Sequence, residues 1–222
     1  MHRSIYSNRV LLWGVGVIAA LTGRATAAMF SNSASIVIPG PGSSSGSSIS
    51  VSGLGNSITS VSVEIESFTD TDPNSVGLVV VGPTGAALAL LGACGGSQGI
   101  SPINVAFSDT ASSIPLNNLV SGTFKPTQYA SLGSFPSPGP GLAYNSPATF
   151  GSSTLASTFD GSNPNGTWSL YAIDSVSGST GEISNGWNLQ VNAVPEPASF
   201  SLIAVAGALL ACRRRRHVRA IP

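Results

Sequence analysis

Charge is the scarcest commodity in this chain: only 8% of its 222 residues are Asp, Glu, Lys or Arg, against about 25% in an ordinary soluble protein. A heptad coiled coil and a charged disordered tail are thereby excluded. Histidine is nearly absent, and both copies, His2 and His217, lie at the extreme ends. A Ser-His-Asp or Cys-His arrangement therefore has no base in the body of the chain, and a His-based zinc site has no ligand. No G-x-x-x-x-G-K-[ST] pattern occurs among the glycines between Gly77 and Gly95, so a P-loop is out as well. Cysteine is limited to Cys94 and Cys212. Cys94 has no cation or histidine beside it to activate a thiolate, which favours a small semi-buried residue over a reactive thiol or an intermolecular link.

The charges that are present are segregated. Arg3, Arg9 and Arg24 stand at the front, Arg213, Arg214, Arg215, Arg216 and Arg219 at the back, and only Lys125 lies between. Residues 29–194 hold eight acids and so carry seven excess negative charges. Such a body cannot neutralise a phosphate backbone, and nucleic acid is not an expected partner. Anionic lipid would repel it. Cations and neutral polymers suit it better.

Both ends read as sorting signals. Arg3 and Arg9 form a positive n-region, Val10 to Leu21 an apolar stretch, and Ala25-Thr26-Ala27 an A-x-A cleavage site, so residues 1–28 are expected to be a secretory signal peptide. At the other end, Val194-Pro195-Glu196-Pro197 precedes an apolar run from Ala198 to Cys212 and then the arginine cluster 213–216. The prolines break a preceding strand and pre-set entry into a helix. Fifteen helical residues reach about 22 Å, short of the roughly 30 Å hydrocarbon core, with snorkelling arginines making up part of the difference. The arginines hold the cytoplasmic side and leave the body outside.

The order of Pro195-Glu196-Pro197, short helix and Arg213–Arg216 resembles the PEP-CTERM sorting signal of exopolysaccharide-producing Gram-negative bacteria. The resemblance covers 194–222. It implies an inner-membrane-anchored precursor, processing by the membrane protease exosortase, and final delivery to the cell surface or the extracellular space.

Gly, Pro and Ser make up 79 of the 222 residues, yet several segments between the signals alternate regularly. Ser60 to Glu66 places Val61, Val63 and Ile65 on one face and the glutamates on the other. Ile49 and Val51 mark a shorter strand, Leu78–Val81 is apolar on both faces, and Gly82-Pro83-Thr84-Gly85 turns the chain into Ala86–Leu91. Ile103 to Phe107, Trp168 to Ile173 and Trp187 to Val191 follow, the last two separated by a Ser/Gly-rich turn at 175–181. With no convincing helical period, the expected class is all-β, a β-sandwich over 49–193. Residues 29–48 are expected to be a flexible lead-in and 135–153, with four prolines, a long loop.

The run Val79-Val80-Val81-Gly82-Pro83-Thr84-Gly85, then Asn165-Gly166-Thr167-Trp168-Ser169-Leu170, Asp174, Gly181-Glu182-Ile183 and Trp187-Asn188-Leu189 resembles the P domain (P/Homo B domain) that follows subtilisin-like catalytic domains in proprotein convertases. It spans roughly Ile36 to Asn192. The resemblance implies a jelly-roll-like β-sandwich. Ser75 and Val76 stand where that family often has Asp-Leu, and no catalytic domain accompanies the module in this chain.

Two chemistries remain. Asp160, Asp174 and Glu182 are either an acid/base set of the glycosidase kind or solvated loop carboxylates, the second being favoured. Asp70-Thr71-Asp72-Pro73-Asn74 begins like an EF-hand loop, but Ser75 replaces its glycine and Val81 its final glutamate. The loop is then either a simpler oxygen-rich Ca²⁺ site at Asp70, Asp72 and Asn74 or a turn whose Asp and Asn cap their own backbone. Asn165-Gly166-Thr167 is a formal glycosylation sequon that a turn explains equally well. The expectation is a non-catalytic exported surface or matrix protein that binds glycan or another matrix protein. The alternative is a detached accessory module assisting a subtilisin-like protease.

Overall fold

A long strand organises the molecule. The computed structural model describes residues 26–194 except 45 and 116, and in it Ser57 to Asp70 form one continuous strand, β5. Counting from the N-terminus, the strands before it are β1 (Thr26–Asn32), β2 (Ile36–Pro39), β3 (Gly42–Ser43) and β4 (Ser47–Val51). After it come β6 (Val76–Val81), β7 (Ala87–Gly92), β8 (Ile100–Phe107), β9 (Gly122–Phe124), β10 (Thr127–Gln128), the helix α1 (Leu155–Phe159), β11 (Gly166–Asp174), β12 (Thr180–Ile183) and β13 (Trp187–Val194).

They form two mixed sheets. The seven-stranded sheet runs β1-β13-β5-β12-β2, with β8 and then β9 on the other side of β5. The six-stranded sheet runs β10-β7-β6-β11-β3, with β4 also on β11. The protein is thus an all-β sandwich. Its core is the facing rows: Val61, Val63, Ile65 and Phe68 of β5 with Leu189 and Val191 of β13, against Leu78, Val80, Leu88, Leu90, Trp168 and Leu170. Trp168 and Trp187 are fully buried.

β5 changes partner partway. Its first part, Ser57–Ile65, pairs with β13, and Phe68–Asp70 pair with β12. Between them the register against β8 slips, and Ser67 takes the left-handed φ of 55°. This bulge shifts the inward-facing positions to Phe68 and Asp70, which are buried, so the strand ends with a carboxylate pointing toward the core.

The apolar character of β6 on both faces has a direct cause. Leu78 and Val80 enter the core, while Val79, with Ala87, is covered from outside by Phe135 of the proline-rich segment. Phe135 meets Tyr144 edge-on at 5.5 Å. The segment expected as a loop is therefore a lid on the six-stranded sheet, and the outer face of the seven-stranded sheet is left to solvent.

Two expectations need correction, and one short helix is added to them. Residues 29–48, expected as a flexible lead-in, lie mostly in strands: β1 pairs with β13, β2 with β12, and β3 and β4 with β11. Their signal is weak because only the pairs Ile36/Ile38 and Ile49/Val51 alternate as buried apolar residues, and no longer period runs through the segment. The turn between β11 and β13 contains an unforeseen strand, β12, in which Ile183 alone is buried. A single-turn helix, α1, caps itself through Thr154, whose hydroxyl accepts from Ser157 N at 3.0 Å.

The expected signal peptide through Ala25 and the expected sorting signal (Pro195, Glu196, Pro197, Arg213, Arg214, Arg215 and Arg216, with the apolar run between them) lie outside the described residues; Ala27, in the expected cleavage site, stands exposed in β1. Among the described residues no helix is long and apolar enough to cross a membrane. The directions of the end strands still carry information. Thr26 pairs with Ala193, which in turn pairs with Ile58, so the chain enters and leaves at the Ser57 end of β5. Asp70 lies at the opposite end, roughly 40 Å away along the strand.

Candidate functional site

The far end of the sandwich is closed by acid. In β11 the inward row is Trp168, Leu170, Ala172 and then Asp174, and in β5 it ends Phe68, Asp70. Both aspartates are buried, with 3% and 1% of their surfaces exposed for Asp70 and Asp174. Each satisfies one oxygen locally. Asp70 Oδ1 accepts from Asp72 N at 2.7 Å and from Ser179 Oγ at 3.2 Å, and Asp174 Oδ1 accepts from Val176 N at 2.9 Å. The other oxygen of each, Oδ2, is buried without a hydrogen-bond partner, as is Oδ1 of Asp72. Burial, more than any other influence, raises the Asp70 carboxyl above its ordinary value, and the neighbouring charges of Asp174 and Asp72 raise it further.

The surrounding loops are tied together. Thr71 N donates to Thr180 O at 3.1 Å, and the Thr71 and Ser179 hydroxyls meet at 3.1 Å. Ser175 N donates to Ser75 O at 3.2 Å. Of the three residues in the expected Ca²⁺ loop, Asp70 and Asp72 belong to this cluster and Asn74 does not. Asn74 is exposed and its backbone amide donates to Gly96 O at 3.0 Å, because Pro73–Ser75 form a 3₁₀ turn that carries it outward. Asp174, 104 positions from Asp70, takes the place that spacing alone assigned to Asn74. The inward parity of Trp168-x-Leu170-x-Ala172-x-Asp174 was the available signal for it. Among the described residues no three His, Cys, Asp or Glu side chains gather tightly enough to hold a metal by themselves. Any cation here needs backbone oxygens too.

The acid/base set of Asp160, Asp174 and Glu182 is not assembled. Asp160 follows α1 beside Gly161, whose amide bonds Ile58 O at the Ser57 end, opposite to Asp174. Its carboxyl is raised first by burial and then by Asp109. Asp109 instead holds the start of α1, accepting from Leu155 N at 3.1 Å and Ala156 N at 2.8 Å. Asn165 of the sequon donates from its amide to Leu54 O and Asn163 Oδ1 and accepts from Leu54 N, each at 2.9–3.0 Å, which commits it to the turn.

Cys94 is buried, its sulfur 3.7 Å from Thr127 O, and burial pushes the thiol up to about 12. At pH 8 roughly one molecule in ten thousand then carries the thiolate. In a Cys212→Ala background the native protein is expected to leave a disulfide reagent unreacted for hours and to react at once in denaturant. Fast native labelling at pH 8 would contradict this burial.

A second constellation lies on the open face of the seven-stranded sheet. Ser60, Ser62, Glu64 and Glu66 of β5 stand beside Asn192, Gln190 and Asn188 of β13, with Asn104 of β8 beyond. These side chains hold one another in place: Asn192 Nδ2 donates to Ser60 Oγ at 2.6 Å, Asn188 Nδ2 to Glu66 Oε1 at 2.9 Å, and Asn104 Nδ2 to Glu66 Oε2. Burial, and then Glu64, raises the Glu66 carboxyl, while the Asn188 bond lowers it. A shallow groove of about 320 Å³ crosses this face, bounded by Met29, Ser62, Glu64, Thr123, Asn188 and Gln190. Nothing in the sequence distinguished these polar places from any solvated strand face. No protein-family model matches the chain, and no curated protein matches it.

Proposed function

We propose that the protein is an exported, non-catalytic component of the cell surface or extracellular matrix, which binds neutral polysaccharide on the open face of its seven-stranded sheet. The observation that carries this is the row of amides and hydroxyls in which Ser62, Asn188 and Gln190 line a groove of about 320 Å³ and Ser60 and Asn192 continue the row along β5 and β13. Sugar hydroxyls need paired donors and acceptors held rigidly, and an amide supplies one of each. The scarcity of cations supports a neutral rather than an anionic glycan, since Lys125 is the only basic residue between 29 and 194.

The proposal extends to the ends of the chain and to the finer architecture. The strands are arranged as a P-domain-like jelly roll. Export proceeds through the signal peptide, and exosortase acts on the C-terminal signal. Because β1 and β13 leave at the same end, the precursor stands on the membrane with Asp70 and Asp174 farthest from it.

Sedimentation of the full chain, kept in detergent, with extracellular polysaccharide from the source cells tests the binding face. The Asn188→Ala/Gln190→Ala variant is expected to weaken retention about tenfold, the loss of two modest hydrogen bonds. Undiminished retention by that variant, or none by the wild type, would remove the sheet face from consideration.

A further inference from the structure

We propose that the acidic end of the sandwich is a calcium site, with Asp70 and Asp174 as carboxylate ligands and the carbonyl oxygens of Val176 and Ser179 completing it. Two core-facing strand rows end there in carboxylates, and each presents a buried oxygen, Oδ2, that no protein group satisfies. An unpaired buried charge is costly, and such groups are paired, bound to a metal or neutralised by a proton. The charges that act on Asp70 are those of Asp174 and Asp72, both negative, so the surrounding protein adds repulsion rather than a counter-charge.

Space and direction agree with a bound cation. Gly40, in the turn between β2 and β3, sits against this cluster without a side chain. The place its Cβ would occupy is flanked by Asp174 Oδ2 at 3.0 Å, Val176 O at 2.7 Å and Ser179 O. On the adjoining strand, a Cβ on Gly181 would overlap Asp70 Oδ2. Glycine at both positions therefore lets the two unsatisfied oxygens keep places that a side chain would force them to leave. The carbonyls belong to the turn that Val176 N and Ser179 Oγ tie to the same two aspartates, through their other oxygens. The ligand orientation is thus set by bonds the cation does not need.

The donor set selects the ion. All donors are oxygen, with no histidine or reactive thiol near, which disfavours zinc and copper. Two carboxylates at the ends of β5 and β11 and two carbonyls in the turn after β11 suit the irregular shell of six to eight oxygens around Ca²⁺, with water in the remaining places, better than the strict octahedron of Mg²⁺. Asp72, with its own buried unpartnered oxygen, adds negative charge at the edge.

The site is independent of the polysaccharide face, and its test does not use glycan. The full chain in detergent, stripped with a chelator, is titrated with CaCl₂ and followed by calorimetry and thermal unfolding. The melting temperature is expected to rise by about 3–6 °C at ten times the dissociation constant, with saturable heat in the micromolar to millimolar range. Asp70→Asn and Asp174→Asn keep the shape and remove the repulsion, so both are expected to fold in chelator at least as well as the wild type and to lose the calcium response. No shift and no heat up to 10 mM CaCl₂ would overturn the proposal, as would a response retained in both variants. A larger shift with MgCl₂ than with CaCl₂ would overturn the choice of ion.

Discussion

Trp187→Ala is expected to remove about 3–5 kcal/mol of stability, the usual loss for a buried tryptophan and a large share of the roughly 5–15 kcal/mol that holds a domain together. Trp187 is fully buried at the start of β13, where its partner in β5 is Ile65. Its indole N–H donates to Ser47 Oγ at 3.1 Å, and the same oxygen accepts from Asn32 Nδ2 at 3.1 Å. One ring thus fills the core between the sheets and anchors β4 and the end of β1. Alanine leaves a cavity and takes a hydrogen bond from a buried hydroxyl. Trp187→Phe, which keeps most of the volume and loses the donor, is expected to cost about 1–3 kcal/mol. Urea unfolding in chelator measures both. A loss below 1 kcal/mol for the alanine variant would mean that the core closes over the gap and that this ring does not join the sheets.

The same pair of tryptophans shows what the sequence makes legible. Trp168 and Trp187 each open a strictly alternating run, and alternation over seven or eight residues is enough to fix β11 and β13. The apolar run in β6 is legible for the same reason, and its lid is not: Phe135 covers Val79 from a segment whose prolines suppress any period. β1 to β3 are hidden because none of them shows a sustained apolar/polar alternation, and they are held by pairing to strands more than 100 residues away rather than by their own pattern. The acidic end follows the same division. Local spacing finds Asp70 and Asp72, but it cannot see that a bulge at Ser67 turns Asp70 inward or that β11 delivers Asp174 beside it. Asn74 looks equivalent in the sequence and is carried outward by a 3₁₀ turn.

That bulge also makes Gly186→Ala the second most damaging change expected, at about 2–5 kcal/mol, from backbone strain and overpacking together. Gly186 ends the turn between β12 and β13, where β5 exchanges one partner for the other; its carbonyl accepts from Glu66 N at 3.0 Å. Its φ of 72° is left-handed, and a Cβ would overlap the Asn32 carbonyl oxygen and come within 2.9 Å of Ser33 Cα. Gly178 separates the two causes. It has a φ of 87° but nothing within 4 Å of the added atom, so Gly178→Ala is expected to cost only about 1–2 kcal/mol, the strain of the left-handed conformation. The difference between the variants is the price of moving Asn32, whose side chain holds Ser47 Oγ and Ser48 O. Hydrogen exchange should therefore quicken in β1 of the Gly186 variant and stay at the wild-type rate there in the Gly178 variant. Equal stability losses, or unchanged protection of β1, would show that this turn accommodates a methyl group without displacing the strand. A quickened β1 would mean that a single glycine couples the partner switch in β5 to the first strand of the sandwich.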